Sequence, residues 1–292
     1  MIMKLKLSIL KIECETVHGG DGVLLGSASE FILVAMLAAR TKKKKVGFIT
    51  MVNIRQLVVD ENYSLRGKIL DEYIQVDKEK GLISFFIRNF FVYICGTLGT
   101  TSCCSVDNFE KLEQICQCEK LWFHIDGAYA GAALIFCLFL FSNTRIRDKL
   151  AVINAMSVDP LYLQHKHVEK ATDLRHWSIA LSRGFRSLKL WFTIRNYVKD
   201  GLRHYIREHC RLSKIFAKSL KTDDRFEIIV NVVFGLVCFR LKGDNILTEK
   251  LLSSLNDSGQ IHVVPTMLNA VFIIRIVVCA KDALEYDMHI AF

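Results

Sequence analysis

The sequence predicts an α/β protein that passes, near Lys189, into a smaller α+β unit. Three observations carry this reading. Two apolar, β-prone runs at residues 90–94 and 121–125 flank a helical stretch from Asp107 to about Cys116, and the first run leads into a polar loop, residues 96–101. Strand, polar loop, helix, strand is the pattern of a parallel sheet, which binds ligands at the carboxyl ends of its strands, where Thr100, Thr101 and Asp126 fall. Beyond the amphipathic stretch 190–206 the pattern changes to short strands separated by one helix.

The elements follow in chain order. Residues 18–26 are glycine-rich and run into Ser27 and Glu30, which have the spacing of a capping box, and then into helix formers. Such a helix start points its free amides back toward the glycines and suits a phosphate. Residues 63–80 read as a helix with Leu65, Ile69, Tyr73 and Val76 on one side. Ile194, Val198, Leu202 and Tyr205 mark one face of the helix over 190–206. Strands are predicted at 226–230, 236–241 and 270–279, with Asp244 capping a helix over 245–255. The expected division is a large domain over 1–188 and a small one over 189–292.

With 292 residues, 51% hydrophobic and 24% charged, the chain can bury a sizeable core. Its formal charge of +9 is dispersed, except for the lysines at 42–45, which read as a solvated helix end. Nucleic acid is therefore not an expected partner, and a small anionic ligand suits the charge equally well. The ten cysteines lack the spacing of a disulfide framework or a zinc site and read as reduced, packed thiols. Lys4, Lys6 and Lys11 interrupt the apolar N-terminus, and the longest apolar run, 128–141, is shorter than the roughly 18–20 residues that span a bilayer. A cytoplasmic protein without a membrane span is expected.

The motif Thr97-Leu98-Gly99-Thr100-Thr101-Ser102-Cys103-Cys104-Ser105, followed by Asp107-Asn108 and then by Leu121-Trp122-Phe123-His124-Ile125-Asp126-Gly127-Ala128-Tyr129-Ala130-Gly131, resembles the group II pyridoxal 5′-phosphate (PLP) decarboxylases. That family includes the DOPA, tyrosine and histidine decarboxylases and the insect aldehyde-forming decarboxylases. The turn Gly26-Ser27-Ala28-Ser29-Glu30, the stretches around Asp159-Pro160-Leu161-Tyr162 and Arg183-Gly184-Phe185-Arg186, and the later stretches 235–243 and 261–265 are similar to it as well. The aromatic-amino-acid decarboxylases and the insect aldehyde-forming decarboxylases share all of these motifs.

The resemblance implies the aspartate-aminotransferase-like fold (type I): a large domain with a central mixed sheet, incomplete here, and a small C-terminal α+β domain. It implies PLP as cofactor, an aromatic amino acid as substrate, and a dimer, either of two copies or with a full-length paralogue. By the same resemblance, Asp126 sits beside the pyridine nitrogen and Ala128 packs on the ring. Ala28 and Ser29 hold the phosphate, and Thr101 supports the Asp126 side. Tyr162 is the proton donor and Arg183 lies near the substrate.

Parts of the family pattern are missing. After the Ala-Tyr-Ala-Gly segment the family carries Asn-Pro-His-Lys-Trp, whose lysine holds PLP covalently. Here Tyr129-Ala130-Gly131 runs into the apolar residues 132–141, and His-Lys-Trp occurs nowhere. Lys149, Lys166 and Lys170 lack the surrounding motif. The histidine that stacks on the cofactor ring in the family is also missing, between Arg40 and Val46. Two expectations stand side by side: an impaired aromatic-amino-acid decarboxylase, or a pseudoenzyme that partners an active one.

Overall fold

The computed structural model describes residues 26–42, 55–80, 93–136 and 184–292. They form two compact units, neither continuous in sequence. The first holds residues 26–42, 55–80, 93–97, 107–128 and 184–198; the second holds 98–106, 129–136 and 199–292.

In the first unit, β1 (Tyr93–Thr97) and β2 (Trp122–Asp126) pair in parallel, Tyr93 opposite Trp122 and Thr97 opposite Asp126. The crossover between them contains α3 (Phe109–Cys118), as the strand and helix pattern predicted. Side chains alternate along a strand, and β1 obeys this: Ile94 and Gly96 are buried whereas Cys95 is exposed. A Cβ on Gly96 would stand 3.1 Å from the Phe123 ring and 3.2 Å from the Phe109 ring, which is why the strand keeps a glycine there. Leu112 and Cys116 of α3 close over Ile94, together with Leu65, Leu70 and Ile74.

Helix α2 (Gly67–Glu79) packs on α3. A Cβ on Gly67 would lie 2.6 Å from Lys111 Cβ, so glycine permits the close approach of the two helices. Of the face read from hydrophobicity, Leu65 is buried just ahead of α2, Ile69 and Tyr73 are half-buried and Val76 is exposed, whereas the buried stripe of α2 itself is Gly67, Leu70, Ile74 and Asp77. The reason is Asp77. Its carboxylate, almost wholly buried, is held by both oxygens on Arg55 Nη1 at 2.7 and 2.8 Å, and this pairing lets a charge occupy a core position. Asp107, expected to open α3, stands one place too early. Asn108 is the cap, its Oδ1 accepting from Lys111 N at 3.2 Å. Asp107 instead accepts from Leu65 N and Thr97 N, each at 2.7 Å, and ties the end of β1 to the residues that precede α2. Burial raises its carboxyl above the ordinary value of 3.8 against the pull of those two bonds.

Helix α1 (Ala28–Lys42) packs on β2. Helix α4 (Arg186–Leu220) begins in the first unit and is interrupted at Val198, whose φ of 54° is non-helical. Val198 is thereby lost from the apolar face predicted for it and is exposed.

The second unit is an antiparallel sheet in the order β3 (Phe226–Ile228), β4 (Leu236–Leu241), β6 (Val271–Val277), β5 (Val264–Leu268). Leu212, Phe216 and Leu220 of α4 close on Val237, Phe239 and Ile274. Helix α5 (Asn245–Asp257) starts after Asp244 as predicted, but the Asp244 side chain makes no capping hydrogen bond. Strand β5 and the short α6 (Glu285–Ala291) were not anticipated. Strand β5 joins β6 through Asn269 and Ala270, with φ of 47° and 63°, a two-residue turn in which both residues are left-handed. Asn-Gly is the strong sequence signal for such a turn, and alanine in place of glycine hides it.

Candidate active site

Asp126 is the last residue of β2, at the carboxyl end of the parallel pair. One carboxylate oxygen, Oδ1, accepts from Ala128 N at 2.9 Å and fixes the turn that carries Ala128. Asp126 is half-buried, and on its side of the sheet the register places Cys95 beside His124 and Thr97 beside Asp126. This face bears titratable side chains, whereas the opposite face is the apolar core.

Helix α1 begins with the predicted capping box in a slightly shifted form. Ser27 Oγ accepts from Glu30 N at 3.1 Å, and Glu30 Oε2 accepts from Gly26 N at 2.6 Å, one residue before the cap. The Phe31 amide bonds to Ser27 O at 3.1 Å. The amides of Ala28 and Ser29 make no hydrogen bond among the described residues, and both residues are exposed. Two open amides and the Ser29 hydroxyl, at the positive end of a helix, match the chemistry of a phosphate.

His124 lies between these two features. It is 8% exposed, its ring 5.3 Å from that of Phe31 on α1 and 5.6 Å from that of Tyr93 on β1, the latter stacked at 22°. His124 Nε2 is buried without a hydrogen-bond partner among the described residues. Burial lowers the imidazole from its ordinary 6.5, against a smaller upward pull from the Asp126 carboxylate. The sequence reading gave His124 no role. Its signal was the two-residue spacing to Asp126, which puts both on one face of a strand.

Of the predicted site residues, Ala28, Ser29, Asp126 and Ala128 fall in the first unit and Thr101 in the second, while Tyr162 and Arg183 lie outside the described residues. The loop holding Thr101 is organised by its neighbour. Thr100 Oγ1 accepts from the amides of Cys103 and Ser105, each at 3.3 Å, and Thr100 O accepts from Cys104 N at 2.9 Å. Thr101 O accepts from Arg275 Nη1. Gly99, at φ +73°, is held so close to Ala130 that a Cβ would lie 2.5 Å from the Ala130 Cβ. In the same unit burial pushes the thiols of Cys104 and Cys238 up to about 12, which keeps them protonated and unreactive. Among the described residues no cluster of histidine, cysteine and carboxylate groups could hold a metal, and no helix is long and apolar enough to cross a membrane.

The first unit thus joins a parallel strand pair that ends on a carboxylate to a helix whose first amides are open. The chain belongs to the pyridoxal-dependent decarboxylases: the model of the pyridoxal-dependent decarboxylase conserved domain matches residues 43–140 and 136–242. It is 38% identical to the aromatic-L-amino-acid decarboxylase of Rattus norvegicus over 331 aligned positions, which take in 93% of this chain and 68% of that protein. The histidine decarboxylase of Drosophila melanogaster is 35% identical over 92% of this chain and 38% of its own length. Among solved structures, Catharanthus roseus tryptophan decarboxylase in complex with L-tryptophan superposes with a TM-score of 0.79 at 26% identity, covering 97% of this chain and 70% of that one. Oryza sativa TDC with PLP and tryptamine gives 0.83 at 25% identity, covering 98% and 72%. The fold is therefore the type I fold of PLP enzymes, and the family's cofactor is PLP.

Proposed function

We propose that the chain is an aromatic-amino-acid decarboxylase scaffold that keeps the non-covalent half of the cofactor site and has lost the covalent half, so that turnover is impaired. The observation that carries this reading lies in the sequence: no Asn-Pro-His-Lys-Trp follows Tyr129-Ala130-Gly131. Two features of the family match support it. The match breaks into two pieces that meet at residues 136–140, and the alignment to the rat enzyme spans more positions, 331, than the chain has residues, 292. Relatives thus carry internal segments without a counterpart here.

In this reading Ala28 and Ser29 bind the phosphate through their amides, and Asp126 holds a proton on the pyridine nitrogen by charge. The small side chain of Ala128 leaves room for the ring, and Thr101 supports that side of the site. When bound, the cofactor supplies the sink for the electron pair left by loss of carbon dioxide. Tyr162 delivers the proton to the substrate carbon, and Arg183 orients the substrate. An aromatic L-amino acid is the substrate class, residues 1–188 and 189–292 are the large and small domains, and the working form is a cytoplasmic dimer.

A second reading, a non-catalytic subunit of an active decarboxylase, draws on the same observation, since a retained cradle without its anchor still binds and folds. The test is the absorbance of the purified chain with PLP, before and after borohydride, followed by mass spectrometry. Reversible binding without covalent labelling is the expected result. Labelling of a single lysine overturns the loss of the anchor. Co-purification with a full-length relative, joined to absent turnover, selects the subunit reading.

A further inference from the structure

We propose that His124 and Phe31 are positioning residues whose ring contact sets the separation between the phosphate-binding turn and Asp126; this rests on the cofactor reading above. Phe31 follows Ala28 and Ser29 within the first turn of α1, and its ring lies 5.3 Å from that of His124. His124 precedes Asp126 by two residues on the same strand and faces the same side. A single ring pair therefore spans the two places at which a cofactor is gripped, one at each end. Tyr93 backs the imidazole from β1 at 5.6 Å, so His124 is fixed from both sides.

The burial of His124 argues against a solvent-facing or proton-relay role. Its Nε2 has no hydrogen-bond partner among the described residues and is shielded from solvent, which costs free energy that a phenylalanine at this position avoids. Such a histidine acts by its ring and its place. An aromatic pair of this kind changes a binding constant by up to about tenfold.

The experiment compares the affinities of the full chain for pyridoxal 5′-phosphate and for pyridoxal, by equilibrium dialysis, in the wild type and in Phe31→Ala, His124→Ala and His124→Phe. A ligand gripped at both ends gains from its phosphate only while the turn and Asp126 are held in register. The wild type is expected to prefer the phosphorylated form. Phe31→Ala and His124→Ala are expected to cut that preference by about tenfold, with pyridoxal binding little changed, and His124→Phe to restore it. A variant that merely unfolds loses both ligands alike, and circular dichroism identifies it. In that event the comparison of His124→Phe with wild type decides: an equal preference upholds the ring role, and a lost one overturns it. An unchanged preference in a folded His124→Ala overturns this inference alone. No preference in the wild type removes the phosphate site itself, and this inference with it.

Discussion

Strand β4 of the second unit is buried at five successive positions, Leu236 to Arg240, whereas β1 of the first unit alternates, with Ile94 and Gly96 buried and Cys95 exposed between them. The first pattern belongs to a strand covered on both faces and the second to a strand covered on one. The difference separates two tasks. The second unit spends its sheet on a core in which Val237, Phe239 and Ile274 are at most 3% exposed. The first unit packs one face against α2 and α3, and its other face carries Cys95, His124 and Asp126, of which only His124 is buried, beneath Phe31 of α1.

Mutation can break or sharpen that contrast. The largest effect is expected from Phe216→Ala in the second unit. Phe216 is 1% exposed and meets Phe239 edge-on at 5.7 Å, and its truncation should cost ~3–5 kcal/mol in urea unfolding. A cost under about 1 kcal/mol, the size of an ordinary surface change, would show that β4 is not the sealed element described. Next is Arg55→Ala in the first unit. It leaves the Asp77 carboxylate buried without its cation, and a loss of ~1–3 kcal/mol is expected in the same measurement. The double variant Arg55→Ala with Asp77→Leu should recover most of it, because an apolar residue suits the buried stripe of α2.

Ala270→Gly works in the opposite direction. It relieves a left-handed alanine in the β5–β6 turn and is expected to stabilise the second unit by about 1 kcal/mol, read as a raised unfolding midpoint. The smallest effect is one of pH. Because burial lowers the imidazole of His124 in the folded state, the unfolded chain takes up its proton first. The stability tied to His124 is complete above about 6.5 and is lost as pH falls through the lower folded value. In the second unit Asp223, lowered to about 2 chiefly by its hydrogen bond from Arg225, loses its contribution only as pH falls from 3.8 toward that value. Amide exchange followed from pH 7 to 4 should therefore loosen β2 before β3. The reverse order would sink the assignment of His124 as the acid-sensitive group.

Much of the candidate site was legible because it is local. Ser27 and Glu30 form a cap through neighbours three residues apart, and the Asp126 turn closes on the amide of Ala128, so a short stretch of sequence contains both partners. The end of β1 was less legible. Gly96 and Thr97 read as loop, yet they pair with Ile125 and Asp126, because the rings of Phe109 and Phe123 occupy the space a side chain at Gly96 would need. Strand β5 went unseen because its turn carries alanine where glycine is expected.

The sequence by itself determined the order of strand, loop, helix and strand, the capped start of α1, the absence of His-Lys-Trp and membership of a PLP-dependent family. Each of these rests on covalent neighbours or on residues a few positions apart. Only the tertiary structure decided that Asp77 belongs to the buried face of α2, that Val198 interrupts α4, and that His124 lies between Phe31 and Tyr93. Those outcomes depend on what stands opposite each residue: a guanidinium 22 positions away in sequence for Asp77, and rings from α1 and β1 for His124. A hydrophobicity pattern records how apolar a residue is, and only the packed chain supplies its partner.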